Sequence, residues 1–121
     1  QMGIETVLDI VHFDALLKGA DLVFSGEGRI DFQSLRGKVV IGVARRTKKA
    51  GIPLIAIVGD IGDNIEGVYD EGVSAIFSIN RVAVPFMEAR LRSESDLELT
   101  MDNLMRFLIM KTPFADRRPD R

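Results

Sequence analysis

Five consecutive apolar residues, Leu54-Ile-Ala-Ile-Val58, constrain the fold more than any other stretch of this chain. A run without polar alternation offers no face to water. It marks a strand buried on both sides, as in parallel sheets. Leu22-Val-Phe24 and Ala75-Ile-Phe-Ser-Ile79 read as two further strands. Between the strands the apolar residues switch to a helical spacing. Val39, Val40, Val43, Ala44 and Thr47 form one stripe, which Gly51 and Pro53 end. Glu66 to Gly72 reads as a short helix. Upstream, Ile4, Val7, Leu8 and Val11 share a helical face, and Phe13–Leu17 makes a second short helix ended by Gly19. Downstream, Pro85 sits at the first position of a helix. Ser95-Asp-Leu-Glu98 has the spacing of a capping box for a last helix carrying Leu97, Met101, Leu104, Met105 and Leu108, with its Met residues as core fillers.

The order (αα)βαβαβαα predicts an α/β fold, a Rossmann-like α/β/α segment with three parallel strands joined by right-handed crossovers. Three strands are few, since sheets average about five or six, and both edges of such a sheet would be bare. The expectation is therefore a segment of a larger protein, or a sheet completed in a homo-oligomer. Residues 1–111 form the folded part, and the polar tail 112–121 is expected to be disordered.

Composition enters by exclusion. At 121 residues, 46% hydrophobic and 28% charged, the chain reads as one ordinary globular domain. A net charge of −2 gives no footprint for nucleic acid or an anionic membrane. No apolar run approaches the ~20 residues of a membrane helix. The absence of cysteine excludes disulfides and thiolate chemistry and fits a cytoplasmic protein. His12, the single histidine, lies between two helices and reads as a helix-end residue. Acid–base work falls to Asp, Glu, Lys or Tyr. Arg45, Arg46, Lys48 and Lys49 lie at the C-terminal end of their helix, where they complement its dipole.

The chemistry-bearing stretch is 25–38, Ser-Gly-Glu-Gly-Arg-Ile-Asp-Phe-Gln-Ser-Leu-Arg-Gly-Lys. It reads as a βα loop much longer than the usual ~2–6 residues. Ligands of parallel α/β sheets sit beyond the carboxyl ends of the strands. There this loop would meet Gly59–Asp63, with Asp60 and Asp63, and Ser78–Val84, with Asn80 and Arg81. Gly26 and Gly28 would let the backbone turn tightly. Gly37 and Lys38 open a helix whose free N–H groups favour an anion. Glu27, Asp31 and Asp60 could hold Mg²⁺. Hard-metal ligands beside anion donors suit phosphoryl transfer. Two nucleotide motifs fail. G-x-G-x-x-G meets Asp31 at its last glycine, and a Walker A loop would need Gly at Phe32 and Ser or Thr at Val39. A structural alternative is a polar loop whose Asp and Gln cap helices.

Together the residues resemble one family. Asp21-Leu-Val-Phe-Ser-Gly-Glu-Gly-Arg-Ile-Asp-Phe-Gln-Ser-Leu-Arg-Gly-Lys-Val-Val-Ile-Gly-Val-Ala44 is similar to the signature of the type I glycerate kinases, approximately D-L-V-I-T-G-E-G-x-x-D-x-Q-T-x-x-G-K-x-P-x-G-V-A. The stretches at Gly3–Asp9, Pro53–Gly59 and Gly72–Ile79 also match, so the resemblance covers about residues 3–111. Ser25 and Ser34 stand where Thr is usual, and Val40 where Pro is usual. The resemblance implies transfer of the ATP γ-phosphate to a hydroxyl of glycerate with Mg²⁺, in a cleft between two α/β domains. It implies that this chain is the C-terminal segment of such a kinase, inactive without the remainder. Asp31, Glu27 and Lys38 carry over as catalytic residues. Gly26, Gly28, Gln33 and Gly37 carry over as substrate-binding residues; from the residues themselves, Ser25 and Arg29 are expected to join them, and Asp31 and Asp60 to form the metal pair. The competing reading is a non-catalytic anion-binding or small-molecule-binding module that oligomerises through its sheet edges.

Overall fold

The structure, a computed structural model, describes residues 2–36 and 38–110; the predicted tail lies outside them. Two compact units divide the chain, residues 1–80 and 81–121.

The first unit holds a three-stranded sheet in the order β1-β2-β3, with β1 Val23–Ile30, β2 Leu54–Ile61 and β3 Val73–Ser78. Both pairings are parallel, with Phe24 opposite Ile55 and Ile57 opposite Phe77. The architecture is thus the predicted α/β, Rossmann-like one, with β1 and β3 at the edges of the sheet. The register slips between Leu54 and Ile55. There the Ser74 hydroxyl accepts the Leu54 N–H at 3.1 Å.

Two strands outrun their apolar runs. β1 continues through Ser25-Gly-Glu-Gly-Arg-Ile30, and β2 through Gly59-Asp-Ile61. The expected long loop is therefore strand as far as Ile30, followed by a 3-10 turn at Phe32–Arg36. The reason is pairing. Glu27 lies opposite Val58 and Arg29 opposite Asp60, so the ladder satisfies backbone groups that the local composition disfavours in a strand. Gly26 and Gly28 make no tight turn, because neither is among the glycines with positive φ.

Helix α3, Val39–Ala50, packs on the sheet through a buried stripe of Val40, Ile41, Val43, Ala44 and Thr47. Ile41 belongs to the stripe and Val39 does not, being 46% exposed. Gly51 ends the helix in the left-handed region, with its N–H on Lys48 O. The core joins this stripe to Leu54, Ala56 and Val58 of β2, Val73 of β3, Ile30 of β1 and Leu8 of the N-terminal helix. That helix, α1, spans Met2–Ile10, and α2 spans Phe13–Leu16. His12 sits before α2 at φ 54, a helix-end residue as expected.

The basic cluster of α3 is a tether more than a solvated face. Arg46, 15% exposed, meets Glu5 and Asp9 of α1 at 2.8 Å each and Asp14 of α2 at 3.1 Å. These three carboxylates, Glu5 foremost, hold the guanidinium firmly in its charged form. Arg45 meets Glu71 at 2.6 Å, just beyond helix α4, Glu66–Asp70.

The second unit holds α5, Phe86–Ala89, a 3-10 turn at Arg90–Arg92, and α6, Ser93–Ile109. Pro85 stands one place before α5 instead of at its first position. The capping box does not form. Helix α6 starts before Ser95, whose hydroxyl instead donates to Arg92 O at 3.2 Å. Asp96 is buried and takes both its oxygens to the Arg92 guanidinium. Of the expected apolar stripe Leu104 is buried, whereas Leu97, Met105 and Leu108 are each more than 40% exposed.

Candidate active site

The carboxyl ends of β1 and β2 bring Arg29, Asp31 and Asp60 together. Arg29 Nε donates to Asp31 Oδ2 at 3.0 Å, and Arg29 Nη1 donates to Asp60 Oδ2 at 2.9 Å. The pairing of Arg29 with Asp60 across the ladder places them. Asp31 is the most sheltered of the three, with its side chain 17% exposed against 51% for Arg29 and 62% for Asp60.

Asp31 also caps the 3-10 turn. Its Oδ1 accepts the Gln33 N–H at 2.9 Å, and its own N–H donates to Ser34 Oγ at 3.0 Å. This reciprocal pattern satisfies two free backbone donors at once. The Arg29 guanidinium beside Asp31 holds its carboxyl below the usual carboxylate range. The Gln33 N–H and the Lys38 charge act in the same direction, and partial burial acts against them. Arg29 is held in its charged form by Asp31 and then by Asp60.

Glu27 points elsewhere. Its Oε1 accepts the Val40 N–H at 3.2 Å, in the first turn of α3. Lys38 is the residue before that turn and contributes no side-chain cap. The helix start expected to hold a ligand anion therefore already holds a carboxylate of the chain itself. Lys38 is exposed. Ser25, half-buried, and Gly26 and Gly28, both exposed, lie along β1. The Gln33 contribution described is its backbone. Gly37 lies outside the described residues.

At the third strand, Ser78 Oγ and Asn80 Nδ2 both donate to Gly59 O, at 2.9 and 2.6 Å. Asp63 is exposed, and Arg81 belongs to the second unit. Two residues the sequence reading did not assign to the site shape it. Ser34, fully buried, anchors Asp31, and its place three residues after an Asp was the available signal. Gly62 passes against the ion pairs. A Cβ there would fall 2.8 Å from Asp31 Cβ and 2.9 Å from Arg29 Nη2. Nothing local in the sequence announced it.

The space between Asp31 and Asp60 is filled by a guanidinium. Among the described residues no group of three or more His, Cys, Asp and Glu side chains could hold a metal ion. As arranged, the pair does not fit a resident Mg²⁺. A cavity of about 610 Å³ opens at the opposite end of the sheet, lined by Pro53, Tyr69, Gly72 and Ser74 among others. It is remote from these groups. Among the described residues no helix is long and apolar enough to cross a membrane.

A sequence profile of the glycerate kinase family matches residues 1–109. The chain belongs to the glycerate kinase family. A glycerate kinase of Bacillus cereus is 44% identical over 102 residues, covering 84% of this chain and 27% of that protein. One from Haemophilus influenzae is 40% identical over 109 residues, 90% of this chain and 29% of the relative. Glycerate 2-kinase of Escherichia coli is 43% identical over 77 residues, 64% and 20% respectively. The chain thus spans between a fifth and a third of the length of these glycerate kinases.

Proposed function

We propose that this chain works as one side of a kinase cleft, within a longer polypeptide that phosphorylates a hydroxyl of glycerate from ATP. The supporting observation is the match to glycerate kinases across residues 1–109, with the Asp31 and Lys38 region at the carboxyl end of the sheet. ATP supplies the transferred phosphoryl group. Phosphoryl transfer depends on positioning and charge more than on covalent chemistry. Asp31, kept ionised by Arg29, takes the proton of the glycerate hydroxyl. Lys38, exposed before α3, draws in an anionic group of either substrate. Glu27 sets where Lys38 stands by fastening the first turn of α3. Ser25, Gly26, Gly28 and Gln33 line the substrate side, with the E. coli relative's name, glycerate 2-kinase, favouring the 2-hydroxyl. The cytoplasm, where both substrates are available, is the proposed location.

The test compares this 121-residue chain with the complete kinase that carries it. Each is incubated with ATP and glycerate, and phosphoglycerate is measured. The complete kinase should form product and the isolated chain should not. Turnover by the isolated chain would overturn the need for a second side. Saturable ligand binding by the complete protein without product would favour the anion-binding module instead.

A further inference from the structure

We propose that Arg29 is a positioning residue, the fixed counter-ion of Asp31 and Asp60, and that these two carboxylates are therefore not ligands of a resident metal. The inference rests on the kinase reading above. It changes the role of Arg29 from substrate contact to holder of carboxylates.

Geometry carries it. Two different nitrogens of one planar guanidinium meet two carboxylates, Nε with Asp31 at 3.0 Å and Nη1 with Asp60 at 2.9 Å. A rigid fork of donors fixes direction as well as distance. The remaining oxygen of Asp31 is engaged by the Gln33 N–H, and its backbone by the buried Ser34 hydroxyl. Asp31 is thereby oriented from three sides. Gly62 closes against the same group, with no room for a side chain beside Arg29 Nη2 and Asp31 Cβ. A divalent cation between the two carboxylates would stand against a fixed positive charge. Stability does not account for the arrangement, because ion pairs as exposed as Arg29 and Asp60 add little to a fold.

The experiment uses the complete kinase carrying this segment. Mn²⁺ is titrated into the ligand-free protein and followed by water-proton relaxation, for wild type, Asp60→Asn, Arg29→Gln and the Arg29→Gln/Asp60→Asn double variant. Asp60→Asn should leave wild-type Mn²⁺ binding unchanged. Arg29→Gln should bind Mn²⁺ roughly tenfold more tightly, because a like charge has been removed, and the added Asp60→Asn should abolish that gain. In kinetics, Arg29→Gln should lower kcat roughly tenfold with KM for glycerate kept, the mark of lost positioning. Arg29→Lys, which restores the charge but not the fork, should recover part of it. Two results would overturn the proposal. One is Mn²⁺ binding by ligand-free wild type that Asp60→Asn removes. The other is a raised KM for glycerate with unchanged kcat in Arg29→Gln. Absence of glycerate turnover by the wild type would sink the kinase reading alone, since the Mn²⁺ titration still decides the counter-ion role.

Discussion

Replacing Glu27 by alanine should loosen the start of α3 and lower the stability of the whole first unit. The helix has no cap of its own. Lys38 makes no side-chain bond to the first turn, and that turn carries no acidic residue. Glu27, reaching across from β1, accepts the Val40 N–H at 3.2 Å. Loss of a capping acceptor costs about 0.5–2 kcal/mol. The negative charge beside the positive end of the helix dipole contributes a further ~0.3–1 kcal/mol. Glu27→Ala removes both and should cost roughly 1–3 kcal/mol. Glu27→Gln keeps an acceptor oxygen and loses mainly the charge, roughly 0.3–1 kcal/mol. Urea unfolding of the wild-type chain and both variants, followed by far-UV circular dichroism, measures the three values. In thermal melts, each kcal/mol should appear as a Tm change of roughly 3–5 °C for a chain of this size. Equal stability of wild type and Glu27→Ala would show that Glu27 caps nothing. Equal losses in the alanine and glutamine variants would refute the division between bond and charge.

Two further perturbations follow from the same geometry. Arg29 holds the Asp31 carboxyl below its ordinary value, so the pair stabilises the folded chain above the usual carboxylate range, about pH 4, and that contribution is lost as pH falls through the lower folded value. A carbon-13 titration of the Asp31 carboxyl should show its midpoint move to higher pH in Arg29→Gln, and an unmoved midpoint would contradict the cause given. Gly72 has φ 115, and a Cβ there would meet the Ala44 carbonyl oxygen and lie 2.8 Å from Lys48 Cβ. Gly72→Ala should therefore cost roughly 2–4 kcal/mol in urea unfolding, and a loss under about 1 kcal/mol would show that the turn before β3 can relax.

The frame was legible because its signals are local. Leu54–Val58 announced a buried parallel strand, and Gly51 with Pro53 announced the end of α3. What escaped was non-local. Gly-Glu-Gly-Arg has the composition of a loop, and only the ladder to Val58 and Asp60 makes it a strand. Arg46 looked like a partner of its own helix dipole. Its carboxylates come from Glu5, Asp9 and Asp14, far away in sequence. In the site, the residue types at 27, 29, 31, 38 and 60 were readable, but the division of labour among them was not. Glu27 and Asp31 are the same kind of acid four residues apart, and one faces a helix while the other faces Arg29. The strand ends at Ile30, so Glu27 lies within the ladder opposite Val58 whereas Asp31 lies beyond it, at the start of the 3-10 turn. The Ser95 capping box failed for a related reason. The helix continues upstream from its apparent cap, so the hydroxyl finds a carbonyl of the preceding turn.

The measurement closest to the central claim is turnover of glycerate with ATP by the complete kinase carrying Asp31→Asn, with phosphoglycerate quantified against the wild type. The substitution keeps the shape and the acceptor for Gln33 while removing the carboxylate that would take the hydroxyl proton. The account predicts a fall in kcat of roughly tenfold or more with the fold intact by circular dichroism. Wild-type turnover in the variant would remove Asp31 from the reaction and contradict the placement of the chemistry at the carboxyl ends of β1 and β2.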